Sequence, residues 1–211
     1  MRFADARATA TLTIAIVLVS VLIVLTRQQD AAALLAGFIP ARVAGAQLPA
    51  GLWPVPVALT PLTATLVHAG LIHLGFNIVM LVFCGREVER ALGSWGVVVL
   101  FMVGAYLAAA GQWAQDPLSA GPMIGASGAI SAIIGAYALL FGQSRAPAIG
   151  PIPARLVQAL WLAAAWIGLQ LLIGLTGGLG FGNIAIAAHI GGFLAGLALA
   201  RPLLMWRYRT A

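Results

Sequence analysis

The sequence predicts an all-α integral membrane protein, a bundle of six transmembrane helices with both termini on the cytoplasmic side. Three observations predict it. Of 211 residues, 62% are hydrophobic and only 8% are charged. A soluble domain carries about 25% charged residues, so this chain has too little polar surface to face water. The apolar residues gather in six continuous runs, each near the ~20 residues needed to cross a hydrocarbon core. Continuous rather than alternating runs indicate helices, which satisfy their own backbone in lipid. The third observation is the placement of arginine, which sets the orientation.

The runs are Ala8–Thr26, Leu62–Gly85, Gly96–Trp113, Met123–Gly142, Leu156–Leu175 and Asn183–Ala200. With the N-terminus inside, the inner segments hold Arg2, Arg7, Arg86, Arg90, Arg145, Arg155, Arg201, Arg207 and Arg209. The outer loops then hold only Arg27 and Arg42. Basic residues stay cytoplasmic, so the sequence predicts N-in and C-in. Arg2 and Arg7 before the first run also fit a signal peptide. That run ends in Leu25-Thr26-Arg27-Gln28-Gln29-Asp30, with no small-x-small cleavage site, so it is expected to remain as a helix. The loop from Gln28 to Pro61 carries five prolines yet stays apolar, with Leu34-Leu35, Phe38-Ile39 and Leu52-Trp53. It is expected to form a compact element at the outer interface, with Trp53 as an anchor.

The net charge of +6 arises from arginine alone, since the chain has no lysine. In a soluble domain such charge fits nucleic acid; here the arginines sit between apolar runs and read as a topology signal. Cys84 is the only cysteine, so no intrachain disulfide forms. No convincing internal repeat is evident, which counts against a transporter of the inverted-repeat plan.

Polar residues inside the runs are costly and suggest function. Gly125-Ala126-Ser127-Gly128 puts a hydroxyl about one turn into the fourth run. Ala188-His189-Ile190-Gly191-Gly192 puts an imidazole about two turns into the sixth. The second run carries His73 and Asn77, which lie about 40° apart on one helical face. All four groups fall in the outer half of the membrane, on three helices running the same way. Gly128-x-x-x-Ala132-x-x-x-Ala136 and Gly192-x-x-x-Gly196 let the fourth and sixth helices approach closely. A tight crossing there would bring a serine within hydrogen-bond reach of a histidine, the minimal pair for attack on an amide. Taken singly, each residue has an ordinary alternative. Ser131 is expected to bond its own helix backbone, Asn77 can serve as an interhelical bond, and His68 is assigned an interfacial position without a role. Three histidines without nearby carboxylates or thiolates make a weak metal site, and none is expected.

These motifs resemble the rhomboid family of intramembrane serine proteases. Four segments carry the resemblance: Gly125-x-Ser127-Gly128, Ala188-His189-x-x-Gly192-x-x-x-Gly196, His73-x-x-x-Asn77 and Gly85-x-x-x-Glu89-x-x-x-Gly93. The resemblance covers about Leu62 to Ala200, its topology includes the first helix, and the whole chain, 1–211, is expected to be one rhomboid membrane domain. The resemblance implies a Ser127–His189 dyad without an acidic third member and without a cofactor. It implies an oxyanion hole made by the Asn77 and His73 side chains and the Ser127 backbone N–H. It further implies a hydrated cavity open to the extracytoplasmic side, capped by Gly177–Gly182, with substrate entering between the second and fifth helices. The expected partners are transmembrane segments of other proteins within the lipid bilayer, and the expected location is a bacterial inner membrane. Oligomeric state is left open. The alternative is a rhomboid-like pseudoprotease that binds transmembrane helices without cutting them.

Two departures stand out. Many family members carry Trp-Arg in the first outer loop, where this chain has Leu59-Thr60. Many also have an aromatic residue four positions after the nucleophile, where this chain has Ser131. Loop anchoring and the support of His189 are therefore the two open points.

Overall fold

The computed structural model describes residues 6–142, 147–175 and 185–209. Its helices are α1 (Arg7–Leu25), α2 (Gln29–Ala36), α3 (Pro40–Val43), α4 (Thr60–Thr63), α5 (Leu71–Gln115), α6 (Ser127–Phe141), α7 (Ala154–Leu175) and α8 (Ile186–Arg207). Helices α1, α5 and α8 are long and apolar enough to cross a membrane; α6 is an apolar helix of 15 residues.

α5 is two limbs joined at Gly93, whose φ of 78° and ψ of 169° lie outside any helix. That backbone region is essentially reserved for glycine. The chain reverses there: His73, near the start of α5, packs against Gly125, and Gly111, near its end, packs against Ala187. One limb corresponds to the predicted second helix and the other to the third.

The predicted boundaries shift in three places. The second helix begins at Leu71 rather than Leu62, because Thr60–Leu66 forms short helical turns and Val67 is extended. It then runs past Gly85 to the break at Gly93. The fourth begins at Ser127 rather than Met123, because Met123 exchanges two backbone hydrogen bonds with Phe38 instead of starting a turn. The sixth starts at Ile186 among the described residues and continues through Pro202 to Arg207, so Arg201 and Arg207 stand on the helix. Ser127 and His189 consequently occupy first turns, not the deeper positions predicted for them.

The core lies where both limbs of α5 meet α6 and α8, with Leu81, Val88, Leu100, Ile130 and Ile133 fully buried. Small residues let these helices touch backbone to backbone. A Cβ on Gly192 would stand 2.0 Å from the Gly128 carbonyl oxygen, and one on Gly196 would stand 2.0 Å from that of Ala132. α7 is held chiefly by α8. There the Trp166 indole stacks on Phe193 and donates to the His189 carbonyl at 3.3 Å.

The segment between α1 and α5 is compact, as its apolar composition predicts. Arg42 donates to the Val55 carbonyl, Thr63 to that of Ala36, and the Tyr106 hydroxyl on α5 to that of Ala58. These bonds hold the loop in a chain that has Leu59-Thr60 in place of Trp-Arg. Trp53 projects from it, 93% exposed.

At the opposite end, the Glu89 carboxylate caps α1 from another helix. It accepts from the Ala8 and Thr9 N–H groups, each at 2.8 Å, from the Thr9 hydroxyl at 2.7 Å, and from Ser94 at 2.6 Å. An α-helix leaves its first N–H groups unpaired, and a negative charge suits that end. Gly85 permits the approach, since a Cβ there would meet Thr9 at 3.0 Å. The Gly85, Glu89 and Gly93 of the sequence motif therefore seat α1 and turn the chain.

Candidate active site

The site is built where three first turns converge. Gly125 has φ +105°, a left-handed conformation that side chains resist. Its N–H bonds the Ala64 carbonyl at 2.9 Å, and the bend delivers Ser127 to the N-terminus of α6. There the serine N–H is one of the helix's orphan donors, at the positive end of its dipole. The Ser127 hydroxyl lies 2.7 Å from Nε2 of His189, in the first turn of α8. The crossing of Gly128 under Gly192 sets this distance: a Cβ on Gly128 would stand 2.5 Å from Ala108 Cβ, and one on Gly192 would collide with Gly128.

His73 borders the same point. A Cβ on Gly125 would fall 2.8 Å from His73 Cε1, 2.9 Å from its Nε2 and 3.8 Å from the Ser127 hydroxyl. Asn77, one turn along, is buried and donates one amide N–H to the His73 carbonyl at 2.9 Å. His73 Nδ1 and Asn77 Oδ1 have no hydrogen-bond partner among the described residues. Ser131 gives its single hydroxyl hydrogen to the Ser127 carbonyl at 2.8 Å, the backbone bond expected of it. The expected cap, Gly177–Gly182, lies outside the described residues.

The structure assigns His68 a place the sequence does not predict. It is fully buried rather than interfacial, because the chain at Val67 is extended and turns the ring inward. Ser20 of α1 has one hydroxyl hydrogen, which goes to the Leu66 carbonyl at 2.8 Å. Its contact with His68 Nδ1 at 2.9 Å therefore has the imidazole N–H donating. The other ring nitrogen is then the acceptor for the Ala126 N–H at 3.4 Å. The ring also meets His73 edge-on, centroids 5.0 Å apart. One neutral histidine thus joins α1, the residue before Ser127 and His73. Helical spacing hid it, since His68 is not on a helix.

The family model described as the rhomboid domain matches residues 58–206. This chain belongs to the rhomboid family. It is also similar to proteins described as rhomboid protease GlpG from Serratia proteamaculans (strain 568), Yersinia pestis (strain Pestoides F) and Yersinia pseudotuberculosis serotype O:3 (strain YPIII). Each is 33% identical over 137 residues, covering 64% of this chain and 44% of the relative. The match thus spans less than half the length of those curated relatives. As a rhomboid with several long apolar helices, the chain is an integral, multi-pass membrane protein.

Proposed function

We propose that this rhomboid is a serine endopeptidase that cuts transmembrane segments of other proteins inside a bacterial inner membrane. The observation that carries the reading is the 2.7 Å hydrogen bond between Ser127 and His189 at two converging helix starts. For catalysis the neutral imidazole carries its proton on Nδ1, leaving Nε2 to accept from the serine. Ser127 attacks the scissile carbonyl as His189 takes its proton. His189 then delivers that proton to the leaving amine, and water hydrolyses the resulting acyl-serine.

The tetrahedral oxyanion needs donors fixed in advance. The Ser127 N–H, first in α6, has no hydrogen-bond partner among the described residues, and anions bind readily at a helix N-terminus. The Asn77 amide keeps a second N–H after bonding His73. The His73 ring, beside Gly125, is the third donor. No acidic third member is required, and neither metal nor cofactor enters the reaction.

Six spans with both termini cytoplasmic are the arrangement we infer. The arginine distribution supports it, because Arg7, Arg86, Arg90 and Arg207 belong to the end of the bundle around Glu89, away from Ser127. That orientation opens the site to the extracytoplasmic side.

The deciding experiment is covalent labelling of purified protein by a fluorophosphonate probe, with cleavage of a model transmembrane substrate measured in parallel. Wild type is expected to be labelled and to cut. Ser127→Ala should do neither, and His189→Ala should lose cleavage while remaining folded. Equal labelling of wild type and Ser127→Ala removes Ser127 as nucleophile. Labelling without cleavage of any transmembrane substrate favours the pseudoprotease reading.

A further inference from the structure

At the end of the bundle remote from Ser127, the α5 elbow and the residues ending and following α8 border an open cavity of about 450 Å³ lined by Leu92, Gly93, Ser94, Trp95, Trp206, Arg207 and Arg209. The catalytic reading uses none of these residues. The Arg207 guanidinium lies flat over Gly93, with Nη1, Cζ and Nε each 3.6–3.7 Å from where a Cβ would stand. Nη1 donates to the carbonyls of Glu89 at 3.2 Å and Arg90 at 2.6 Å. The N–H groups on Nε and Nη2 are not used in those bonds. Arg209 sits over the Trp206 ring, its Cζ 5.5 Å from the centroid.

Among the described residues, no carboxylate lines the cavity. The acids near it among the described residues are committed elsewhere: Glu89 to Ala8, Thr9 and Ser94, and Glu87 to Arg90. Two cations thus face one space without an anion among its lining residues. Trp95 and Trp206 are 66% and 46% exposed, and such rings settle at the headgroup level of a bilayer. Phosphate chemistry fits the cations, and acyl chains fit the flanking rings.

We propose that this cavity binds the phosphate headgroup of an anionic glycerophospholipid from the cytoplasmic leaflet, pinning the end of α8 to the α5 elbow. Basic pockets between helices on the cytoplasmic side suit such headgroups. The proposal rests on the inferred orientation and is independent of the catalytic reading.

The test uses the full chain in a neutral maltoside detergent. Thermal unfolding is followed during titration with dioctanoyl phosphatidylglycerol, dioctanoyl phosphatidylcholine or inorganic phosphate. Phosphatidylglycerol is expected to raise the midpoint saturably, while the other two leave it unchanged. Arg209→Gln, which removes an exposed side chain with no hydrogen bond to the described residues, should weaken the apparent affinity about 5-fold. Arg201→Gln, on α8 two turns before its end and outside the cavity, should leave it unaltered. An equal response to phosphatidylcholine, or to inorganic phosphate, overturns the lipid site. Equal weakening by both arginine variants also overturns it, because diffuse charge would then explain the binding. No cleavage assay enters this result, so its failure is separable from failure of the protease reading.

Discussion

At the scale of single residues, Gly125 and His68 set the geometry that Ser127 inherits. An L-residue at φ +105° is strained by about 1–2 kcal/mol, and its Cβ would displace the His73 ring from 2.8 Å. Gly125→Ala is therefore expected to lower kcat by about 10²-fold or more, as loss of an oxyanion donor does. Its unfolding midpoint should fall only modestly. Both quantities are measured on one preparation, and unchanged kcat would separate His73 from the oxyanion. Ser20→Ala tests the His68 bridge. It strands the His68 Nδ1–H and the Leu66 carbonyl together. An unpaired buried polar group costs about 1–3 kcal/mol, so the midpoint should drop. Because His68 also accepts from Ala126 and meets His73, kcat should fall roughly tenfold while KM holds, as small misplacements of reacting groups do. A variant less stable but equally fast would make the bridge purely structural.

At the scale of elements, α1 depends on a carboxylate it does not own. Glu89 meets four donors with two oxygens: Ala8 N–H and Ser94 on one, both Thr9 donors on the other. Glu89→Gln replaces one acceptor by a donor facing donors. With the lost charge at a helix N-terminus, about 2–3 kcal/mol of stability is expected to go. Thermal unfolding measures that loss, and kcat per folded molecule should persist, because Glu89 is remote from Ser127. Gly192→Ala acts on the α6–α8 crossing instead. Its Cβ would overlap the Gly128 carbonyl at 2.0 Å, and backbone against backbone has no flexible side chain to yield. Fluorophosphonate labelling of Ser127 should drop by about 10²-fold, even in the fraction that folds.

These elements also mark what the sequence made legible. Hydropathy located the long helices, and i, i+4 spacing of glycines identified the crossing that joins Ser127 to His189. Helix starts were less legible, because Met123 and Leu62 are as apolar as the helices they precede. What excludes Met123 from α6 is its pairing with Phe38, eighty-five residues earlier, and no local pattern records that. The same reason hid His68: its partners Ser20 and Ala126 are distant in sequence, and its segment is not periodic. Ser131 was legible because its partner is one turn away.

At the scale of the whole molecule, the two ends of the bundle differ in chemistry, and that difference predicts orientation. Around Glu89 gather the α1 start, the α5 elbow and the α8 end, bringing Arg86, Arg90 and Arg207 together. The Ser127 end holds the apolar loop with Trp53, and its arginines are Arg27 and Arg42. Arginines retained on the cytoplasmic side would fix the first end inside. Single cysteines read this directly once Cys84, buried in the core, is replaced by alanine. In intact cells, Trp53→Cys should react with a membrane-impermeant maleimide, since that position is 93% exposed on the loop. Arg209→Cys, beyond the end of α8, should react only after the membrane is opened. The reverse pattern would put Ser127 on the cytoplasmic face. Hydrolysis would then draw on cytoplasmic water, and the substrates would be cut on that side. Labelling of both positions in intact cells would mean mixed insertion, contrary to an arginine bias as one-sided as this one.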